Sequence, residues 1–466
     1  MLFSSIPFLY YFLPSVLIFY FLVPKKLKNT VLLISSLVFY GWGEPKYLIL
    51  MVASIIIGYV SGLLIEATNE KTKKRVVVAI SVAINLCFLG FFKYTDFFIA
   101  NFNAVTGLSL KFLNIALPIG ISFYTFQILS YTVDVYRGTV KAQKNIIYLA
   151  TYIAMFPQLI AGPIVRYIDV VDSLETRTIS FEKISLGLRR FIIGLSKKVL
   201  IANALGELCA TFKASEDKAL LFYWLYAVSF CLQVYFDFSG YSDMAIGLGK
   251  ILGFEFMENF NFPFISRSIS EFWRRWHISL GSWFRDYVYI PLGGNRVKKA
   301  KWLFNIFVVW FLTGFWHGAA WNFIVWGLYF IIFLVFEKTK PGKILVEVKV
   351  LNHIYTLFFI IISFVIFDAA NMTEAFSYVK SMLGFSDIPL ASQEFIYYFK
   401  EYAVILVVGI IGATPLVKTI FNKLSSVKGV KNVINILEPV ALILLLVLVT
   451  AYLVDGSFNP FLYFRF

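Results

Sequence analysis

The sequence predicts an all-helical protein that crosses a membrane many times, and three observations carry that reading. Hydrophobic residues fill 59% of the 466 positions and charged residues 15%, against roughly 45–50% and about 25% in ordinary soluble domains. Apolar runs recur from one end of the chain to the other, and clusters of lysine and arginine punctuate them. A water-facing surface cannot be assembled from that mixture, so lipid is the solvent for most of the chain. At about 20 residues per span, the length accommodates roughly 11–13 membrane helices, some of them re-entrant or interfacial, in one domain covering 1–466.

The apolar runs lie at about 8–23, 31–41, 47–65, 76–92, 113–135, 146–165, 186–211, 219–250, 302–314, 319–336, 353–370, 402–417 and 437–454. Basic clusters stand between them at Lys25/Lys26/Lys28, Lys71/Lys73/Lys74/Arg75 and Arg137/Lys141/Lys144. Further clusters follow at Arg296/Lys298/Lys299/Lys301, Lys338/Lys340/Lys343 and Lys418/Lys423/Lys428/Lys431. The connections 42–46, 93–112 and 371–400 carry few cations. Because positive loops mark the cytoplasmic side, the first span runs from outside to inside, and both termini are expected outside the cell. The excess of 42 Lys and Arg over 27 Asp and Glu, a net charge of +15, is then a topological signal, and nucleic acid is not expected as a partner. Met1 to Pro7 lacks the basic region and small-residue cleavage site of a signal peptide, so the run after it is read as a retained span. Cys87, Cys209 and Cys231 show neither metal nor disulfide spacing and read as packing residues.

The alternation blurs between about 146 and 336, where function is to be sought. In 255–295, Asn259, Asn261, Pro263, Arg267, Glu271, Arg274, Arg275, His277, Arg285 and Asp286 are interleaved with Phe and Trp. Such a stretch is tolerated at membrane depth only when buried in protein or lining a cavity. His317, in the uncharged stretch Thr313 to Trp321, is either a proton acceptor for a reacting hydroxyl or a histidine bonded to a carbonyl for packing. The flanking Gly314 and Gly318 would let a narrow channel approach its ring. His277 follows Glu271-Phe-Trp-Arg-Arg-Trp276 and is either functional or part of an interfacial anchor of Trp and Arg. His353, at the start of an apolar run, reads as a helix-end residue without a role. Asp237 and Asp243, in the run Gln233 to Asp243, either relay protons or hold arginines such as Arg274, Arg275 or Arg285 in a buried ion-pair network. P-loop, dinucleotide, metalloprotease and nucleophile-elbow motifs are absent. His277 and His317 have no Cys partner at zinc spacing, so no metal is expected.

Trp316-His317-Gly318 after an aromatic span, with Arg275-Trp276-His277-Ile278-Ser279 upstream, resembles the membrane-bound O-acyltransferase family. Pro118 to Gln127, Phe156 to Pro163, Gln233 to Asp243 and Trp283 to Arg296 are similar to its bacterial branch. The Pro-Leu-Gly-Gly-Asn-Arg ending at Arg296 resembles the alginate and peptidoglycan O-acetylation members more than the teichoic-acid D-alanylation members. The resemblance covers essentially the whole chain.

It implies a ring of helices around a funnel, with His317 as the catalytic histidine at the bottom of a tunnel and His277 as its supporting partner. Trp316, Gly318, Trp276, Arg275, Asp237 and Gln233 would line or back that tunnel. It also implies a bacterial cytoplasmic (inner) membrane protein, with no bound cofactor. An acyl group, acetyl in the first place, would come from a cytoplasmic thioester, acetyl-coenzyme A or an acyl carrier protein. The acceptor would be an extracellular polysaccharide or cell-wall glycan, reached with an extracellular or membrane-anchored SGNH-type acyltransferase or esterase partner. The final residues, Phe461-Leu-Tyr463-Phe-Arg-Phe466, look like a terminus found in this branch. Tyr463 there is either an acyl-carrying hydroxyl or part of an aromatic belt. The rival reading is a transporter or flippase whose polar core couples protons.

Overall fold

The computed structural model describes residues 1–160 and 162–456. Every apolar run of the sequence contains helix, and no β-strand occurs among the described residues. Helices Leu48–Ala67 (with the turn from Pro45), Lys71–Thr106, Leu220–Ile251, Leu351–Asp368 and most of Lys428–Val454 are long and apolar enough to cross a membrane. Two bent pairs, Trp321–Phe336 with Lys340–Glu347 (90°) and Gln393–Glu401 with Ala403–Gly412 (57°), reach that length only together. Other runs are shorter or broken for visible reasons. Run 113–135 is helical only from Ile121, because Pro118 and a left-handed Gly120 (φ +77°) precede it.

The chain packs as two compact units, one comprising Met1–Phe191, Met244–Met257 and Arg285–Tyr287. Its aromatic core joins Phe3, Phe8, Phe39 and Phe156, with ring centroids 4.7–6.4 Å apart. Inside lipid there is little hydrophobic drive for helices to associate, so close packing of such surfaces must supply it. Asp286 anchors a polar cluster here. It pairs with Arg285 at 2.7 Å and Arg166 at 2.8 Å, and Arg166 also holds Asp169 at 2.9 Å. Burial raises the Asp286 carboxyl, but the Arg285 hydrogen bond and the surrounding guanidinium groups outweigh it and hold the group below its ordinary value.

The second unit, Ile192–Asp243, Glu258–Phe284 and the chain from Val288 onward, contains both histidines of interest. Its helices are labelled α1 (Asn203–Ala214), α2 (Leu220–Ile251, whose last turns belong to the first unit), α3 (Ile269–Arg275), α4 (Ile278–Phe284), α5 (Lys299–His317), α6 (Trp321–Phe336) and α7 (Leu351–Asp368). Within its apolar window α2 is 72% buried, whereas the window in Gly429–Val454 is 6% buried. The first is therefore an internal strut and the second faces lipid. Trp273, Trp310, Trp326 and Phe330 form a ring cluster with centroids 4.8–5.6 Å apart, and such pairs each contribute about 0.5–1.5 kcal/mol beyond burial. Tyr463 lies outside the described residues.

Candidate active site

Helix α5 ends at His317 because Gly318 turns into extended backbone, and α6 starts three residues later after an extended Ala320. The hairpin closes tightly. A side chain at Gly314 would strike the backbone carbonyl of Phe323, and one at Gly318 would strike the Phe323 ring. α6 and Phe323 occupy the space that side chains at these two glycines would take, so the two helices can touch there. Asn322 ties the start of α6 to the end of α7, donating from Nδ2 to the carbonyl of Ala369 at 2.9 Å. This brings Phe367 beside His317.

His317 is buried among Trp316, Trp326 and Phe367, with ring centroids 5.0, 5.0 and 5.4 Å away. It stands at the C-terminal end of α5, where the negative end of the helix dipole favours the imidazolium formed when the ring takes a proton. Trp316 also faces His277, 6.1 Å between centroids. Both imidazoles therefore stand against the Trp316 ring.

His277 joins α3 to α4 with φ +45°, a left-handed conformation that non-glycine residues rarely adopt. Its Nδ1 is 3.1 Å from Oδ1 of Asn259. That same oxygen accepts from the Ser279 backbone N–H at 3.2 Å and from Ser279 Oγ at 2.9 Å. Asn259 Nδ2 donates to Ser242 Oγ of α2 at 3.0 Å, and the Phe238 ring stands perpendicular to the imidazole at 4.6 Å. Asn259, Ser242 and Ser279 are all buried. All three stand in stretches already singled out in the sequence, but nothing there marks them as partners of His277. An amide in the phenylalanine-rich stretch 254–262 was the available signal.

The other candidates separate. Trp276 is core, between Phe260 at 5.1 Å and a stacked Phe272 at 5.5 Å. Arg275 bonds Glu271 at 2.8 Å and turns to the carbonyl of Asn261. Glu271 sits below its ordinary value, since the Arg267 N–H and the Arg275 pair outweigh the burial that would raise it. Gln233 is buried on α2 one turn before Asp237. Asp237 pairs with Lys198 at 2.7 Å, each side chain 3% exposed, and Asp243 pairs with Lys197 at 2.6 Å. The expected ion pairs exist, but lysines of the π-helical turn Lys197–Ala202 provide them, and Arg275 and Arg285 are paired with Glu271 and Asp286 instead. His353 Nδ1 meets the Ser266 carbonyl at 3.2 Å.

Residues 139–373 match the model of the membrane-bound O-acyltransferase family. A probable alginate O-acetylase of Azotobacter vinelandii is 39% identical over 100% of this chain and 100% of its own. The chain belongs to the membrane-bound O-acyltransferase family. It is a multi-pass membrane O-acyltransferase. A peptidoglycan O-acetyltransferase of Helicobacter pylori is 36% identical over 84% of this chain and 81% of its own, and a teichoic acid D-alanyltransferase of Bacillus subtilis is 33% identical over 54% and 68%. The extent of the match favours the O-acetylation branch, as the Pro-Leu-Gly-Gly-Asn-Arg ending implied.

Proposed function

We propose that this O-acyltransferase takes acetyl from a thioester on the cytoplasmic side of the bacterial cell membrane and passes it outward for O-acylation of a cell-surface polysaccharide or wall glycan. The observation that carries the reading is the meeting of His317 and His277 about Trp316, in a chain matched end to end by a protein named as an alginate O-acetylase.

His317 acts as the base. As the acceptor hydroxyl oxygen bonds to the thioester carbonyl carbon, the imidazole takes its proton; the C–S bond then breaks, and the imidazolium returns the proton to the departing thiolate. Aromatic rings around His317 keep water from competing with the hydroxyl, and positioning supplies much of the rate. The basic stretch Arg296 to Lys301 attracts an anionic donor, acetyl-coenzyme A or an acidic carrier protein. With both termini outside, Tyr463 is an acyl relay to an extracellular or membrane-anchored SGNH-type partner. The transport reading draws less support, because the two carboxylates it needs for proton coupling are each engaged by a lysine.

Radiolabelled acetyl-coenzyme A supplied to membranes containing the full chain tests the reading. Acetyl transfer that depends on His317 is expected; a flippase would neither hydrolyse the thioester nor become labelled. For the relay, mass spectrometry should find acetylated Tyr463 in the wild type and none in His317→Ala. Full glycan acetylation by Tyr463→Phe would dispose of the relay while leaving the base in place.

A further inference from the structure

Nδ1 of His277 faces Oδ1 of Asn259 at 3.1 Å, with Ser279 Oγ farther away at 3.5 Å, and Asn259 is a residue with no assigned role. The orientation of the Asn259 amide follows from its neighbours. A backbone N–H can only donate, so the Asn259 atom 3.2 Å from the Ser279 nitrogen is the carbonyl oxygen. The amide nitrogen then faces Ser242 Oγ at 3.0 Å, where it donates. With the oxygen thus fixed 3.1 Å from Nδ1 of His277, an unprotonated Nδ1 would set two lone pairs against each other. The proton of the neutral ring therefore sits on Nδ1.

We infer that Asn259 is a positioning residue for acyl transfer, holding the Nδ1 proton of His277 so that Nε2 is the nitrogen able to accept one. The inference rests on the proposed role of His277 in the reaction. A second observation points the same way. The left-handed backbone of His277 (φ +45°) is strained and persists only where surroundings over-determine it. Asn259 supplies that constraint too, since its backbone carbonyl accepts from Ile278 N–H at 3.0 Å while its side chain accepts from Ser279. One residue thereby fixes the ring's rotation, its tautomer and the backbone beneath it. The rings of Phe238 and Trp316 that stand against the imidazole are uncharged.

The chain has three histidines, so the tautomer can be read directly. Nitrogen NMR of ¹⁵N-histidine-labelled full-length protein in proteoliposomes should show His277, assigned by its loss in His277→Gln, with Nδ1 protonated and Nε2 bare. Asn259→Leu should populate the opposite tautomer and lower acetyl-coenzyme A turnover about tenfold. Asn259→Asp keeps an accepting oxygen, so Nδ1 should stay protonated and more activity should return than in the leucine variant. A helix-capping role alone would leave the ring tautomer of Asn259→Leu as in wild type, and that result overturns the inference. So does a wild-type ring with a bare Nδ1, which decides the matter even if Asn259→Leu fails to fold. Wild-type turnover by His277→Gln would instead sink the role of His277 and leave the tautomer finding standing.

Discussion

The two histidines stand close together, yet the regions that present them are built on opposite principles. The hairpin carrying His317 is a packed, uncharged object: glycines let two helices touch, and indole and phenyl rings surround the imidazole. The region carrying His277 is a polar web, in which a left-handed residue is held by Asn259, Asn259 is held by Ser242 of α2, and α2 also carries Asp237, buried in a pair with Lys198. Packing against rings holds an imidazole by its shape, and a web of directional bonds fixes its rotation. The contrast supports His317 as the residue that handles the proton and His277 as the one that sets the geometry.

The largest effect should come from the packed region. His317→Ala removes a base and little structure, so acetyl transfer is expected to fall roughly a hundredfold to ten-thousandfold while the protein still reaches the membrane. Near-wild-type glycan acetylation at normal expression would break the contrast at its centre.

Next comes the polar web. Lys198→Met leaves Asp237 charged in a site where both partners are buried, and removing one member of such a pair costs about 3–5 kcal/mol. Heating the detergent-solubilised protein and following the monodisperse fraction should show that loss. The double variant Lys198→Met with Asp237→Leu should recover most of it, because matched apolar groups need no partner. Equal stability of the single variant and the wild type would show that the pair holds nothing together.

His277→Ala should lower acetyl transfer by less than His317→Ala does, since the base remains and only its setting is lost. If both variants are equally inactive, the division of labour between packed and polar regions fails.

Composition alone carried the all-helical membrane class, because no other solvent suits this mixture. His317 was visible as an ionisable group among apolar residues, and His277 as one in a basic, aromatic stretch that reads equally as an interfacial anchor. Their neighbours were not. Lys198 sits inside an apolar run, and nothing local says that its partner is Asp237 rather than that an arginine fills the place beside that carboxylate. Ser242 lies on α2 and Asn259 in the chain beyond it, and only tertiary packing brings them to His277. The glycines beside His317 are ambiguous for a related reason: an absent side chain reads equally well as open space or as room for a neighbour.

That ambiguity sets the last and smallest effect. Gly318→Ala places a methyl group against the Phe323 ring, which itself packs on Phe367 at 5.0 Å, the ring beside His317. Overpacking of this kind costs about 1–3 kcal/mol, so thermal stability should drop and acetyl transfer should weaken as the displaced rings shift His317. Phe323→Leu in the same chain provides room for the methyl group and should return both. If Gly318 instead clears a path for substrate, the methyl group obstructs that path whatever stands at 323, and the double variant stays as inactive as the single one. Measuring stability and transfer together on the two variants therefore decides between packing and passage at the turn that presents His317.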